Sequence, residues 1–354
     1  MNKRELTREL LTKYCQKYPH LQIHDVFKYI FQSSFGCEHL ISSLDKVTEY
    51  ISNEFETTDK NALPFVEALD GEYSRVYLSC LNNGLSIKTL GKLFFLSAKK
   101  EESGKERLLE KIAVAKELVE EKSLPFLQED FEKEIKEWEE NGYPAIHHSD
   151  EYRNIYKPSY RVIANKYIPF LPLFTELDKR LANEKIKLAI EGGSASGKST
   201  LGKMLEEVYG CTVLHMDDFF LQPHQRTPER YKEVGGNVDR ERFLAEVLQP
   251  LSKNQTINYR KFDCCSMTIK ETEIITPQKL TVIEGAYSMH PELSPYYDMS
   301  VFLDINEDAQ KKRILIRNTP EMANRFFNEW IPYENKYFST MHIKEKCDLT
   351  IEIK

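Results

Sequence analysis

Gly192-Gly193-Ser194-Ala195-Ser196-Gly197-Lys198-Ser199-Thr200 has the residue types and spacing of a phosphate cradle. Lys187-Leu188-Ala189-Ile190 before it reads as a buried strand, and Leu201-Gly202-Lys203-Met204-Leu205 after it continues as a helix. A tight Gly-rich turn between strand and helix aims successive backbone N–H groups, and the positive end of the helix dipole, at a polyphosphate. Lys198 then reaches the β- and γ-phosphates, and the Ser199 hydroxyl is a ligand for Mg²⁺. Glycine is required where backbone must approach oxygen closely, often with positive φ.

Three further groups suit chemistry at such a loop. His215-Met216-Asp217-Asp218-Phe219-Phe220 begins at the end of a second strand, where a carboxylate faces the crevice that the loop borders. Phosphoryl transfer needs a group that orients the attacking hydroxyl and accepts its proton, and Asp217 is the candidate. Asp218 is a candidate metal ligand, with a hydrogen-bonding or plain turn role as the alternatives. Thr281-Val282-Ile283-Glu284-Gly285 is an apolar strand ending in an acid, a place from which Glu284 can hold the Mg²⁺ shell. Arg313 and Arg317 lie four apart near a helix end, so both guanidinium groups can face one way and close over the phosphates. Favourable cations at a helix C-terminus are the competing explanation.

These residues need a scaffold, and from Ile186 onward the pattern alternates strand and helix. Strands are expected at Ile186–Glu191, Thr212–Met216, Leu280–Glu284, Ser300–Asp304 and Asp348–Ile353. Helices are expected at Lys198–Tyr209, Arg240–Leu248, Glu307–Arg317 and Met322–Tyr337, with a hairpin-like insertion over Thr256–Thr276. This predicts an α/β fold, a parallel sheet covered by helices with its ligand at the strand C-terminal ends. Residues 1–180 read as a mostly α-helical domain, including a helix over Gln128–Glu140, and residues 181–354 as the nucleotide-binding domain.

The 354 residues are enough for two cores, and 41 % hydrophobic residues exclude a disordered chain. The net charge is −7; residues 1–180 hold 26 basic against 30 acidic side chains, and 181–354 hold 23 against 26. Neither half is basic, which argues against nucleic acid as a partner. Seven scattered cysteines without a Cys-x-x-Cys pair suit reduced thiols in the cytoplasm. A polar start and the absence of a long apolar run predict a soluble protein without a membrane segment. A homo-oligomer stays open.

Three polar clusters interrupt the first domain: Phe35–His39, Asp70–Arg75 and Ala145–Asp150, the last followed by Tyr152, Arg153, Tyr156, Tyr160 and Arg161. They could bind an anion or provide acid–base chemistry. Alternatively, His147-His148-Ser149 caps a helix that begins near Asp150.

Residues 186–354 resemble the uridine kinase and phosphoribulokinase branch of P-loop kinases. The resemblance rests on Gly192–Thr200, the Asp217/Phe219 pair, Ile283-Glu284-Gly285, and the helix with Arg313 and Arg317. It implies transfer of the ATP γ-phosphate to a hydroxyl of a small molecule, a nucleoside or sugar-like compound, with Mg²⁺ and with Asp217 in the place of the catalytic acid. The chain departs from uridine kinases at Asp217-Asp218-Phe219-Phe220, where those enzymes carry Asp-Ser-Phe-Tyr. Asn237-Val238-Asp239-Arg240-Glu241 stands against their Asn-Phe-Asp-His-Pro, and Phe262-Asp263 against their Tyr-Asp. Candidate acceptor-binding residues are Arg226, Arg230, Asn237, Asp239, Tyr259, Arg260, Asp263 and His290. A nucleotide-gated regulatory protein, whose loop switches the helical domain, is the competing function class.

Overall fold

Asn2 accepts the Glu5 N–H while Glu5 accepts the Asn2 N–H, and this capping box starts helix α1 (Lys3–Lys17). The computed structural model describes residues 2–37, 43–59, 65–98 and 104–353. It divides into two units, Met1–Thr175 and Glu176–Lys354. The first continues with α2 (Ile23–Phe35), α3 (Leu44–Thr57), strands β1 (Val66–Ala68) and β2 (Tyr73–Tyr77), and helices α4 (Ile87–Ser97), α5 (Gly104–Glu120), α6 (Gln128–Glu140) and α7 (Asp150–Tyr156). Strand β3 (Tyr160–Ala164) precedes α8 (Leu171–Leu181). Helices dominate, as the sequence predicts, but β1-β2-β3 form an antiparallel sheet that it does not show. α2 carries much of this core: Phe27 stacks on Trp138 at 4.9 Å and meets Phe131 edge-on at 5.5 Å.

The second unit opens with β4 (Ile186–Gly192), α9 (Lys198–Tyr209) and β5 (Thr212–His215). Short helices α10 (Pro228–Lys232), α11 (Arg240–Phe243) and α12 (Gln249–Ser252) follow, then the nested hairpin β6 (Ile257–Tyr259), β7 (Phe262–Asp263), β8 (Thr268–Ile269) and β9 (Glu273–Ile275). Next come β10 (Leu280–Glu284), β11 (Met299–Ile305), α13 (Glu307–Arg317), α14 (Pro320–Arg325), α15 (Ile331–Met341), α16 (Ile343–Lys346) and β12 (Leu349–Ile353). The main sheet runs β12-β11-β4-β10-β5, parallel throughout. The chain fills one side of β4 with β10 and β5 and then crosses to β11 and β12. The loop after β4 therefore stands at the switch point where α/β sheets open a crevice.

Two helices expected to run on are interrupted by π turns, at Leu244–Leu248 and Phe326–Trp330. Each lies just before a proline, Pro250 and Pro332. Proline lacks an N–H and clashes with the carbonyl four residues back, which is Glu246 in one case and Asn328 in the other. The wider π turn removes that clash without ending the helix.

Candidate active site

Gly192 leaves β4 at φ +147°, and a Cβ there would lie 2.6 Å from the Leu303 carbonyl oxygen. Any side chain would push the loop off β11, so glycine is required. Ala195 (φ 61°) and Gly197 (φ 102°) complete the turn, and Gly197 caps α9. Lys198 lies at the first turn of α9, and its Nζ donates to the Gly192 and Gly193 carbonyls at 2.9 and 3.0 Å. Ser199 and Thr200 are exposed beside it. Ser196 Oγ is buried with no hydrogen-bond partner among the described residues.

Asp217 follows β5, in a single 3₁₀ turn. Its carboxylate reaches solvent, yet the protein packed round it desolvates it, which raises its pKa. The Lys198 ammonium pulls in the opposite direction, and Glu284 pushes up again. Lys198 and Asp217, from two different strand–helix junctions, thus share one electrostatic neighbourhood.

Glu284 ends β10 in register with His215 at the end of β5. Parallel register puts both side chains on one face, and His215 Nδ1 lies 2.6 Å from Glu284 Oε1. Burial is the largest single influence on the Glu284 pKa and raises it, but the hydrogen bond and charge of His215, with Ser199 and the Lys198 ammonium, together outweigh it, so the pKa falls. The His215 pKa is raised, first by the bond to Glu284. His215 thus joins the site, and its place at a strand end two residues before Asp217 is the sequence signal for it. With the His215 side chain 39 % exposed, the pair is expected to add about 2–4 °C to Tm at most. The imidazolium's contribution is complete below its ordinary value of 6.5 and disappears as pH rises through the raised folded value. Glu284 contributes above its ordinary 4.5 and loses this as pH falls. The Tm difference between the natural chain and His215→Gln is therefore expected to peak between these values and to vanish by alkaline pH. A difference constant from pH 5 to 9 would dismiss the ion pair.

The residues present fit a Mg²⁺ site. A serine hydroxyl and one carboxylate lie together, with Ser199 close enough to Glu284 to lower its pKa, an oxygen-only set that leaves room for phosphate and water ligands. Among the described residues, no group of three His, Cys, Asp or Glu side chains could hold a metal by itself. Asp218 is directed elsewhere: its Oδ2 accepts the Tyr259 hydroxyl at 2.8 Å, while the Tyr259 oxygen accepts the His215 N–H at 3.0 Å.

The two lid arginines separate. Arg313 Nη1 donates to the Ala195 carbonyl at 3.2 Å, against the loop. Arg317 is exposed, its guanidinium 5.7 Å from the Phe326 ring centre.

Most of the acceptor candidates engage partners within the second unit. Arg230 binds the Gly236 and Val238 carbonyls and both oxygens of Glu241. Asp239 is buried as the cap of α11 and contacts Arg242. Arg260 pairs with Glu246, and Asp263 closes its own turn on the Cys265 N–H and the Ser266 hydroxyl. Arg226 donates to the Leu221 carbonyl. His290 is buried parallel to Tyr337 and accepts the Glu292 N–H. Asn237 is half-buried between Gly236 and Val238. Arg230, Asp239, Arg260 and Asp263 make contacts that fasten the segment between β5 and β9.

In the first unit, Ser149 caps α7 by accepting the Tyr152 N–H. His148 is buried between Asp25 (2.9 Å) and the Tyr160 hydroxyl (2.6 Å), and burial lowers its pKa to about 3. It is a neutral hydrogen-bonding link in the core, whereas Glu38 and His39 of the first cluster lie outside the described residues.

Residues 188–325 match the model of the phosphoribulokinase / uridine kinase family. The chain is 29 % identical over 150 residues to a uridine kinase of Alkaliphilus metalliredigens, covering 39 % of this chain and 71 % of that protein. It is 25 % identical over 146 residues to a uridine kinase of Chlamydia pneumoniae, covering 39 % and 65 %. A pantothenate kinase of Listeria monocytogenes is 29 % identical over 190 residues, covering 46 % and 60 %. The chain thus spans about two thirds of the length of the curated relatives it matches. The C-terminal half of the chain, a parallel sheet with a phosphate loop on its central strand, thus carries a match to the phosphoribulokinase / uridine kinase family over residues 188–325.

Proposed function

We propose that the chain is a kinase that moves the γ-phosphoryl group of ATP to a hydroxyl of a small polar molecule, a nucleoside or a sugar-like compound. The observation that carries this reading is the convergence of Lys198, Asp217 and the Ser199–Glu284 pair at the C-terminal ends of β4, β5 and β10. The loop N–H groups and Lys198 hold the phosphates, and Arg313 stands where it can neutralise charge on the transferring group. Ser199 and Glu284 would hold Mg²⁺, which would supply positive charge to offset that of the phosphates. Asp217 takes the proton of the acceptor hydroxyl as its oxygen bonds to the γ-phosphorus. The bond from that phosphorus to the β–γ bridging oxygen breaks, and ADP leaves. Proton, phosphoryl group and electron pairs are then all accounted for. Catalysis of this kind is positioning and electrostatics.

Reading ADP release from the whole chain with Mg·ATP against nucleosides, sugars, polyols and pantothenate tests the proposal. At least one acceptor is expected to raise the rate about tenfold or more over the acceptor-free rate. Tight ATP binding with no stimulation by any acceptor would instead favour a nucleotide-gated regulator.

A further inference from the structure

α15 carries a carboxylate that the chemistry above does not use. Glu334 is 5 % exposed and accepts two hydrogen bonds from one residue of the phosphate loop, the Ser194 N–H at 2.8 Å and the Ser194 hydroxyl at 2.6 Å. From the other side, Gln310 of α13 donates to the Ser194 carbonyl at 2.8 Å. One turn beyond Glu334, the Tyr337 hydroxyl donates to Glu191 Oε2 at 3.1 Å. Glu191 is buried beneath the loop, where it also accepts the Gly192 and Met289 N–H groups. α15 therefore grips the loop at its root through Tyr337 and at its rim through Glu334.

Backbone N–H groups in such a loop are oriented to receive phosphate oxygens, and here the chain's own carboxylate holds one of them. Its position along the cradle follows from its neighbours. Lys198 and Asp217 both act electrostatically on Glu334, and the terminal phosphate belongs between those two groups. We propose that Glu334 is the residue by which this loop distinguishes a nucleoside triphosphate from a diphosphate. A diphosphate occupies the cradle with Glu334 in place. The terminal phosphate of a triphosphate meets a like charge and takes the Ser194 N–H only when Glu334 gives it up. The energetic basis is ordinary: like charges brought together in a partly dry site repel strongly. The inference rests on the kinase reading, since it needs a nucleotide in this loop.

Equilibrium dissociation constants for Mg·ATP and Mg·ADP, measured by calorimetry on the natural chain, Glu334→Gln and Glu334→Ala, test it. Glu334→Gln keeps an oxygen for Ser194 and removes the charge, so it is expected to favour ATP over ADP by about fivefold or more relative to the natural chain. Glu334→Ala is expected to shift the ratio in the same direction. A purely structural role would weaken both nucleotides together. A ratio unchanged within about twofold in Glu334→Gln, or shifted towards ADP, overturns the inference while leaving the kinase reading intact. A natural chain that binds neither nucleotide overturns both. If Glu334→Ala fails to fold, the near-isosteric glutamine variant still decides the matter.

Discussion

Replacing Asp217 with Asn is expected to slow phosphoryl transfer by about 10²–10⁴-fold while leaving ATP affinity equal or improved. Asparagine keeps the shape and one acceptor oxygen, so it can still orient a hydroxyl, but it cannot take the proton. Affinity is spared because the phosphates are held by the loop and Lys198, and an anion beside the γ-phosphate is lost. The decisive comparison is kcat for the best acceptor against the equilibrium constant for ATP, both measured on the same protein. A fall in kcat of less than about tenfold would remove Asp217 from the proton transfer. Acceptor-independent ADP release that survives Asp217→Asn would show that the group does not govern the reaction. Asp218 is the natural control. Its carboxylate is bonded to Tyr259, so Asp218→Asn disturbs the contact between β5 and the hairpin and acts first through stability.

The phosphate loop was legible because its glycines, lysine and hydroxyls are local, and the strand before and helix after are strongly patterned. Lys198–Tyr209, Glu307–Arg317, Gln128–Glu140 and Leu280–Glu284 have the bounds that the sequence predicts. What stayed hidden was non-local. β2 hides Ser74 and Arg75 in the core along with its apolar residues, so it shows no alternation of polar and apolar side chains, and its partner β3 lies some ninety residues further on. Arg230 and Arg260 look like ligand-binding groups by type, but nothing in their spacing shows that Glu241 and Glu246 already occupy them. Glu334 and Tyr337 read as ordinary members of a helix, and only the path of α15 past β4 makes them neighbours of the loop.

Arg75 sets the largest expected effect on stability. It is completely buried, with its guanidinium donating to Gln32 at 2.8 and 3.1 Å and to Glu67 at 3.1 Å. It also lies 4.7 Å from the ring centre of Tyr160 and 5.0 Å from that of Tyr14, contacts that strengthen when dry. Glu67 is 11 % exposed, and although burial raises its pKa, Arg75 and then Lys17 hold it below the ordinary value. Arg75→Ala leaves that carboxylate without its strongest partner and opens a cavity among the tyrosines. The expected loss is about 3–5 kcal/mol at pH 7, read by denaturant unfolding and by faster hydrogen exchange over Tyr73–Tyr77. The depressed Glu67 pKa makes its stabilisation present above about 4.5 and lost as pH falls, so the gap between natural chain and variant should narrow towards pH 4. Adding Glu67→Gln to Arg75→Ala should recover part of the loss, because a mostly buried charge left with Lys17 as its remaining cation is gone while the cavity remains. If the double variant is no more stable than Arg75→Ala, packing rather than the buried charge governs this core.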